Sequence, residues 1–402
     1  MASNLYDVMI IGGGIHGVGV AQAAAAAGHS VLLLEKSTLA SGTSSRSSKL
    51  IHGGLRYLEG MQLSLVHECL RERALLLKNA PSLVKLLPFH IPIYKDTSRR
   101  PGLIRSGLSL YSILGGLNHA SRFRSLSRSK WHQLDGLDTL ELEAVFRYYD
   151  AQTDDAALTR AVMHSAQSLG ATLETGAQFI AAQLNSEGVS IQYQKGQQTI
   201  SCNARTLVNA AGPWVNQVLE KITPEQHPHP IDLIQGAHII IEGQLTQGIY
   251  YMEAPSDQRA VFAMPWQGKT LVGTTETRYD PAMNPGKVAP LASEINYLLE
   301  TVAHYFPAYR NLPATEICSA FAGLRVLPGT SNHDGAAFSR PRETVLQSDH
   351  DSAIRLLTIY GGKLTAYRAT AEKCLKRLRP SLPTQTPVAD TRKLTLQDPL
   401  KQ

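Results

Sequence analysis

Three glycines and one acid near the start of this sequence have the types and spacing of a nucleotide-binding site. Gly12, Gly14 and Gly17 form the pattern GxGxxG, and Glu35 follows after a helical and an apolar stretch. Glycines let the backbone approach a pyrophosphate closely, because they carry no side chain, and a carboxylate accepts hydrogen bonds from ribose hydroxyls. The helix that follows the glycines adds N–H groups that favour an anion. This chemistry predicts that a dinucleotide binds here.

The elements that must hold this site occur in the required order. The letters VMII form a short buried strand before the glycines, VGVAQAAAAA forms a helix after them, and VLLL forms a second strand that ends at Glu35. A single GxGxxG is weak evidence, because glycine-rich turns are common, but the order of strand, helix, strand and acid supports the interpretation. The pattern alone leaves both NAD and FAD open.

A polar segment from Ser44 to Glu59, SSRSSKLIHGGLRYLE, is the second candidate for chemistry. It contains four serines, three basic residues and two adjacent glycines, Gly53 and Gly54, without an apolar run. Hydroxyls and backbone N–H groups suit a phosphate or a sugar alcohol. His52 lies in this segment, and its side chain could face a ligand or equally bond to local backbone.

Composition predicts a folded protein of two domains. The chain has 402 residues, of which 43% are apolar and 18% are charged, an ordinary globular balance. The net charge of +6 suits an anionic ligand or an anionic surface. The four cysteines are far apart and form no CxxC. We therefore expect reduced thiols in a cytoplasmic protein, and no metal site, iron–sulfur cluster or disulfide framework.

Residues 95–130 combine positive charge with an apolar stretch. They contain eight basic residues and one acid, Asp96, around the letters GLSLYSILGGL. Such a segment suits peripheral contact with anionic lipid, and a solvated basic loop is an equal alternative. Nucleic-acid binding is not expected, because aromatic residues are few and no recognised module is present. The sequence has no run of about 18 apolar residues and no signal-peptide pattern, so we expect neither a spanning helix nor a leader.

Further elements follow from periodicity and capping residues. The letters LSLVHECLRERALLLKNAP predict a helix that stops at Pro81, and Asp154 or Asp155 predicts the start of another that runs to about Leu169, with Gly170 after it. SEINYLLETVAHYF and KLTAYRATAEKCLKRL predict two more helices. LIQGAHIII, GIYYM, AVFAMPW and TLVGTTET predict an antiparallel sheet after a proline-rich linker, PEQHPHP. This order indicates a second domain inserted into the first.

Several separated motifs together resemble one family. GGGIHG, SSRSSKLIHGGLRYLE, YDAQTDDAAL, VNAAGPWV, QGAHIII, AGLRVLP and YGGKLTAYR occur in the order and approximate spacing of the FAD-dependent, quinone-linked glycerol-3-phosphate dehydrogenases, which belong to the D-amino-acid-oxidase-like flavoproteins. The resemblance covers about residues 5–380. The letters SKLIHGGLRYLE are far more specific than the glycine pattern, and they favour FAD over NAD.

The resemblance implies an α/β fold in which an antiparallel-sheet substrate domain, the cap, is inserted into a Rossmann-like FAD-binding domain. The implied bounds are 1–90, 150–227 and 327–402 for the FAD-binding domain, and 91–149 and 228–326 for the cap. Longer members of the family continue into a C-terminal helical domain. This sequence has about twenty residues after Leu378, with the composition of an irregular tail, so we expect that domain to be missing.

The resemblance also implies how FAD is held, without a covalent link. The first strand–helix–strand unit holds the ADP part, the serine-rich segment follows the pyrophosphate and the ribityl chain, and a later helix start faces the pyrimidine edge of the flavin. A positive helix end and a lysine stabilise negative charge on the reduced ring. The implied cofactor-binding residues are Gly12, Gly14, Gly17, Glu35, Ser44, Ser45, Ser47, Ser48, Lys49, Gly212, Gly361, Gly362, Lys363, Leu364 and Thr365.

On the substrate side, the resemblance implies a phosphate site. Arg56, Arg325 and Arg340 match positions that contact substrate, and Tyr57 adds a hydroxyl. Arg342 is an alternative to Arg340, because the letters SRPRE depart locally from the family. Guanidinium groups match phosphate oxygens with paired, charge-assisted hydrogen bonds.

The resemblance also implies a catalytic group made of His238, Arg325 and Lys363. By residue type alone a single histidine is more often structural than catalytic. The match makes His238 the candidate acceptor for the proton of a substrate 2-hydroxyl. Arg325 would stabilise the developing oxyanion.

The activity implied is oxidation of sn-glycerol 3-phosphate to dihydroxyacetone phosphate by hydride transfer to flavin N5, with electrons passed to a quinone. One alternative is an FAD-dependent oxidoreductase for another 2-hydroxy acid, polyol phosphate or amine. Another is a flavin-binding subunit without turnover that is attached to a membrane. The joint presence of Arg56, His238, Arg325 and Lys363 favours an enzyme. We expect a cytoplasmic protein, peripheral on the inner face of the membrane if residues 95–130 bind lipid.

Overall fold

Two mixed β-sheets form the frame of the molecule. The computed structural model describes residues 5–312, 316–329 and 344–401, and strands are numbered here along the chain. The first sheet contains β1 (Leu5–Ile11), β2 (Val31–Glu35), β7 (Thr172–Thr175), β8 (Ala177–Asn185), β9 (Gly188–Lys195), β10 (Gln198–Asn209), β11 (Ile222–Thr223), β18 (Val345–Ser348) and β19 (Leu356–Tyr360).

The second sheet is assembled from two stretches of the chain. It contains β3 (Leu50–Ile51), β4 (Val84–Tyr94), β5 (Arg124–Ser125), β6 (Leu142–Thr153), β12 (Ile231–Ile241), β13 (Ile249–Glu253), β14 (Ala260–Trp266), β15 (Lys269–Gly273), β16 (Thr277–Arg278) and β17 (Ile317–Pro328). Its pairings are antiparallel except for that between β13 and β4. The predicted α/β fold with an antiparallel cap sheet is confirmed.

The helices cover the sheets. They are α1 (Ile15–Ala26), α2 (Leu63–Asn79), α3 (Pro101–Leu114), α4 (Asp155–Ser168), α5 (Val215–Leu219), α6 (Ala292–Tyr305) and α7 (Tyr367–Leu378). Within the described ranges, no helix is both long enough and apolar enough to cross a bilayer.

The first sheet has the nucleotide-binding arrangement expected from its sequence. β1 pairs in parallel with β2 on one side and β10 on the other, and β10 pairs in parallel with β19. The apolar run Val8–Ile10 is fully buried, because α1, α4 and α7 cover one face while other apolar side chains cover the opposite face. The alanines of α1 are buried against these neighbours. The ends of β1, β10 and β19 consequently meet at one edge of the sheet.

Residues predicted from capping patterns lie at both ends of α4. Asp154 is the N-cap of α4, and its side chain accepts a hydrogen bond from Ala157 N at 2.9 Å. Gly170 follows the end of that helix with φ +98°. The start of α7 differs from the expectation, because the chain from Lys363 to Ala366 forms a turn with bonds of the i to i+3 type before the helix begins at Tyr367.

Strands of the second sheet cross the domain bounds implied by the resemblance. β4 runs through the boundary at residue 90, and β6 runs through the boundary at residue 150. The two strands pair along most of their lengths in the second sheet. We therefore propose that all of β4 and β6 belong to the cap.

The chain after α7 lacks regular structure over residues 382–398 but is docked on the first sheet's helical layer. Val388 N donates to Ala26 O at 2.8 Å, and Leu396 N donates to Asn79 O at 2.7 Å. Leu396 is buried in the same apolar cluster as α1 and α7. This segment therefore closes the outer side of that cluster.

Candidate active site

Glycines at the end of β1 bring three backbone segments together. Gly12 has φ +108°, and a Cβ built on it would lie 2.6 Å from the carbonyl oxygen of Ala210. A Cβ on Gly17, in α1, would lie 1.9 Å from the carbonyl oxygen of Gly12. Gly12 and Gly14 line the main cavity, whereas Gly17 lies behind them. Gly17 therefore serves the close contact between helix and loop.

Replacing Gly17 with alanine is expected to weaken binding of FAD, the implied cofactor, by about tenfold or more, because the new Cβ forces α1 away from the Gly12 carbonyl. The visible flavin absorbance per mole of purified protein measures this effect. Gly107→Ala is the control, because a Cβ at that helical glycine would have no heavy atom of the described residues within 4 Å, apart from its chain neighbours and its own helix backbone. Equal flavin content in the two variants would contradict the role given to Gly17.

The carboxylate of Glu35 is fixed at the end of β2. Its Oε2 accepts a hydrogen bond from Gly13 N at 2.7 Å, and its Oε1 accepts one from Ser37 N at 2.8 Å. The residue lines the cavity although it is only 7% exposed. Each carboxylate oxygen has further lone pairs, so the group can also accept hydrogen bonds from ribose hydroxyls.

The serine-rich segment is attached to the start of α1. Ser44 Oγ accepts a hydrogen bond from Ile15 N at 2.9 Å. Ile15 is the first residue of the helix, and helices leave their first N–H groups without internal partners. Ser44 therefore completes the helix start and holds the segment beside the nucleotide cradle.

Lys49, a cofactor contact implied by the resemblance, is held by a carboxylate and a backbone carbonyl. Its Nζ donates to Asp155 Oδ1 and to Ser45 O, both at 2.5 Å. Ser47 donates to Asp155 Oδ2 from its N at 3.0 Å and from its Oγ at 2.6 Å. Ser47 lines the cavity, whereas Ser45 and Lys49 do not. Lys49 therefore pairs with a buried residue, Asp155, that does line the cavity.

The Asp155 carboxylate is an interior anchor for this segment. The residue is fully buried at the start of α4. Burial raises the pKa of Asp155 above its usual range, and the Lys49 charge and the Ser47 hydrogen bonds oppose that shift. The geometry is that of an ion pair, since one carboxylate oxygen faces the ammonium and the other faces the serine.

A second buried network fixes the glycine pair farther along the segment. Gly53 N donates to the hydroxyl of Tyr111 at 2.8 Å, and that hydroxyl donates to Asp150 Oδ2 at 2.7 Å. Arg73 also pairs with Asp150 in the interior. Gly54 follows with φ +75°, a conformation that favours glycine. The turn directs the next residues, Arg56 onwards, back to the cavity.

His238 lies in the middle of the second sheet. It is on β12, opposite Gly273 of β15 and Phe321 of β17, and its ring stacks on Phe321 with centroids 4.9 Å apart. Nε2 of His238 lies 2.9 Å from Ser48 Oγ, and both residues line the cavity. Ser48, implied as a cofactor contact, thus also touches the implied catalytic histidine.

The imidazole of His238 is neutral at physiological pH. Burial, together with the nearby charges of Arg325 and Lys49, lowers the pKa of His238 to about 3, and burial is the largest cause. A neutral ring can accept a proton. Its base strength increases when negative charge is brought near it.

Two of the implied substrate arginines lie close together. Arg325 Nη1 donates to Glu276 Oε1 at 2.8 Å, and Arg325 Nη2 donates to Thr274 Oγ1 at 3.1 Å. Arg56 Nη2 lies 3.9 Å from the same Glu276 oxygen. Both arginines line the cavity. Arg340 and its alternative Arg342 lie outside the described residues.

The turn before α7 forms the opposite wall. Gly362 has φ +110°, and a Cβ built on it would lie 2.1 Å from His16 Nε2. Lys363 Nζ lies 4.2 Å from the ring centroid of Tyr57. Thr365 Oγ1 accepts a hydrogen bond from His52 N at 3.0 Å. These contacts bring a lysine and a backbone turn to the same cavity as the arginines.

One cavity of about 490 Å³ joins these groups. It extends from the nucleotide cradle at β1 and β2 to the cap sheet around β12 and β17. The implied residues that line it are Gly12, Gly14, Glu35, Ser44, Ser47, Ser48, Arg56, Tyr57, Gly212, His238, Arg325, Gly361, Gly362, Lys363, Leu364 and Thr365. The glycine cradle, the acid at the end of β2 and the lysine at the far wall fit an FAD molecule.

Sequence reasoning missed four residues that build this site. Asp150 and Asp155 hold the serine-rich segment, and Glu276 and Arg259 form ion pairs within the arginine group. Asp150 and Asp155 lie in the motif YDAQTDDAAL, so their acidic character was a usable signal. Arg259 and Glu276 have no local pattern that marks them.

Comparison with known proteins places the chain in a family. Residues 7–368 match the model of the FAD dependent oxidoreductase family. The chain is 39% identical to a glycerol-3-phosphate dehydrogenase of Pseudomonas aeruginosa, over 94% of this chain and 72% of that protein. It is 35% identical to a D-erythritol 1-phosphate dehydrogenase of Brucella abortus, over 94% of this chain and 74% of that protein.

A solved structure has the same fold. The glycerol-3-phosphate dehydrogenase of Bacillus halodurans, complexed with FAD, matches with a TM-score of 0.75 and 28% identity, over 98% of this chain and 68% of that chain. FAD is therefore the cofactor that the cavity accommodates, as the resemblance predicted. The chain belongs to the FAD-dependent oxidoreductase family, and its curated relatives include glycerol-3-phosphate dehydrogenases.

Proposed function

We propose that this protein oxidises sn-glycerol 3-phosphate to dihydroxyacetone phosphate with FAD as its cofactor. The observation that carries the proposal is the position of Arg56, Arg325 and His238 around the cavity that also contains the nucleotide cradle. The names of the Pseudomonas aeruginosa and Bacillus halodurans relatives support it.

In this proposal FAD spans the cavity, and residues at both ends bind it. Glu35 accepts hydrogen bonds from the adenosine ribose, and the start of α1 with Ser44 lies at the pyrophosphate. Lys363 and the turn at Gly361 and Gly362 lie at the flavin. When bound, FAD supplies the acceptor for the hydride that leaves C2 of the substrate.

The arginines bind and orient the substrate. Their guanidinium groups form charge-assisted hydrogen bonds with the phosphate oxygens, which leaves the 2-hydroxyl directed towards the centre of the cavity. Tyr57, whose ring packs against Lys363, provides a hydroxyl and a flat wall beside the glycerol carbons.

His238 removes the hydroxyl proton. The Ser48 hydroxyl, which lies 2.9 Å from His238 Nε2 and lines the cavity, passes the proton from the substrate to Nε2. The O–H bond breaks as the carbonyl forms at C2, and Arg325 stabilises the negative charge on that oxygen. The bound phosphate dianion raises the pKa of His238 from its low value, because it offsets the nearby cations.

A steady-state assay with an artificial dye as electron acceptor tests this function. Glycerol 3-phosphate should be turned over with dihydroxyacetone phosphate as the product, whereas unphosphorylated glycerol should be a poor substrate because it lacks the charge that the arginines bind. Equal turnover of the two compounds would contradict the phosphate site.

D-Erythritol 1-phosphate is a second candidate substrate. The Brucella abortus relative carries that name and is 35% identical over 94% of this chain. Both compounds combine a phosphate with a hydroxyl-bearing carbon chain, so the same arginines serve either. The ratio of kcat/KM for the two compounds decides between them.

A quinone in an adjacent membrane is the electron acceptor in this proposal, and α3 is the point of contact. Leu103 and Ile113 of α3 and Leu117 just after it are exposed. Arg105 on the helix and Arg122 beyond it are also exposed. An apolar surface with adjacent positive charge suits the interface of an anionic membrane.

Replacing Leu103 and Ile113 together with aspartate is expected to lower affinity for vesicles containing phosphatidylserine by about tenfold or more, because two apolar anchors are lost and two negative charges are added. Co-sedimentation of the holoenzyme with such vesicles measures the change. Leu140→Asp is the control, because Leu140 is exposed but lies outside α3. Wild-type protein that fails to bind these vesicles would contradict the membrane contact.

A further inference from the structure

Arg259 is a third arginine at the proposed phosphate site. It immediately precedes β14, and its side chain lines the same cavity as Arg56 and Arg325. Its Nη2 lies 2.6 Å from Glu276 Oε2, and its Nη1 donates to the carbonyl oxygen of Glu276 at 3.3 Å. A guanidinium bound at both the side chain and the backbone of one residue has a well-defined orientation.

Glu276 holds the three guanidiniums as one group. Oε1 pairs with Arg325 at 2.8 Å and lies 3.9 Å from Arg56, while Oε2 pairs with Arg259. The Glu276 side chain is 6% exposed, whereas the three arginine side chains are 19–28% exposed. The carboxylate therefore lies behind the arginines, which have more contact with the open space of the cavity.

The charge of this cluster matches one class of ligand. The three guanidiniums and the Glu276 carboxylate carry a net charge of +2 when all are ionised. The Asp257 carboxylate lies 3.9 Å from Arg259 Nη1, but its side chain is 38% exposed, so solvent screens its charge. A phosphomonoester is a dianion above its second pKa of about 6. A 2-hydroxy acid carries one negative charge on its carboxylate. It would therefore neutralise less of the positive charge of the arginine cluster than a phosphomonoester does.

We propose that Arg259 is a phosphate-binding residue and that Glu276 is the positioning residue that sets the cluster for a phosphomonoester dianion. The proposal rests on the proposed function and adds two residues, Arg259 and Glu276, to its phosphate site. Arg259 supplies the fork of donors that a phosphate needs in addition to those of Arg56 and Arg325.

The test is the binding of inorganic phosphate to FAD-loaded protein, measured by titration calorimetry, together with KM and kcat for glycerol 3-phosphate. Arg259→Met should raise the phosphate Kd and the KM by about 10- to 100-fold, as expected for loss of hydrogen bonds to a charged group. FAD content and kcat should change by less than about threefold, since Arg259 holds the phosphate and not the reacting carbon. A Kd and KM within about twofold of wild type would overturn the proposal.

Two further variants distinguish loss of the phosphate contact from a general effect of replacing an arginine. Arg278→Met is the control, because Arg278 is exposed, pairs with Asp232 and does not line the cavity, and its Kd and KM should equal those of wild type. Arg259→Lys keeps the charge but loses the fork, so it should give an intermediate Kd. If Arg259→Met does not fold, a phosphate Kd for Arg259→Lys equal to that of wild type overturns the proposal, and a raised one supports it.

Failure of the proposed function would give results different from those that overturn the role of Arg259. In that case wild-type enzyme would not turn over glycerol 3-phosphate, while phosphate would still bind to wild type more tightly than to Arg259→Met. Glu276→Gln tests the positioning role, because it should weaken phosphate binding although it removes a negative charge. Tighter phosphate binding by Glu276→Gln would show that the carboxylate only repels anions and would overturn its role.

Discussion

Replacing His238 with alanine is expected to slow the reduction of bound FAD by glycerol 3-phosphate by about 10²- to 10⁴-fold, the range for loss of a general base. The physical reason is that the imidazole is neutral, buried and 2.9 Å from a serine hydroxyl that lines the cavity. Rapid mixing of substrate with oxidised enzyme in the absence of oxygen measures the rate. The FAD content should stay near that of wild type, since the histidine lies on the cap sheet and not in the nucleotide cradle.

His304→Ala provides the matched control for this change. His304 is on α6, its nearest charged neighbour is Asp96, and it does not line the cavity. Flavin reduction by this variant should proceed at the wild-type rate. A His238→Ala enzyme that reduces its flavin as fast as the control would show that another group takes the proton.

Replacing Asp155 with alanine is expected to lower the free energy of unfolding by about 3–5 kcal/mol, the usual cost of leaving one partner of a buried ion pair uncompensated. Lys49 is buried and its ammonium faces Asp155 Oδ1 at 2.5 Å. The same carboxylate holds Ser47 through two hydrogen bonds. The variant should therefore also lose FAD, because Ser47 and Lys49 of the serine-rich segment are no longer held at the start of α4. Urea denaturation of the holoenzyme measures the first effect, and flavin absorbance measures the second.

The neighbouring acid separates this effect from helix capping. Asp154 is the N-cap of α4, so Asp154→Ala should cost only about 1 kcal/mol and should leave FAD bound. The double variant Lys49→Met with Asp155→Leu removes both charges and should recover much of the lost stability. If the Asp155→Ala and Asp154→Ala variants had equal free energies of unfolding, the anchoring role of the ion pair would be contradicted.

The nucleotide half of the molecule was predictable because its signals are local. The apolar runs of β1 and β2, the glycines between them and the small residues of α1 lie within about thirty residues, as the fingerprint requires. Each signal has one simple structural reason, and the predicted strand–helix–strand unit is present, with β1 and β2 paired in parallel. Likewise runs rich in β-branched and aromatic residues predicted the strands of the cap. The pair Asp154 and Asp155 predicted the start of α4, whose N-cap is Asp154.

The parts that could not be predicted depend on contacts between distant residues. Asp155 meets Lys49 across 106 positions of sequence, and Glu276 meets Arg325 across 49. Neither pair has a spacing rule, because the topology of two sheets brings the partners together. For the same reason the sequence did not indicate that Lys49, predicted as a cofactor contact, also pairs with a buried carboxylate.

Anaerobic addition of glycerol 3-phosphate to the FAD-loaded protein is the most direct test of the account. The absorbance of oxidised flavin should disappear, with one dihydroxyacetone phosphate formed per flavin reduced, and glycerol at the same concentration should leave the spectrum unchanged. Flavin that stays oxidised with glycerol 3-phosphate would contradict the assignment of this cavity as the site of its oxidation.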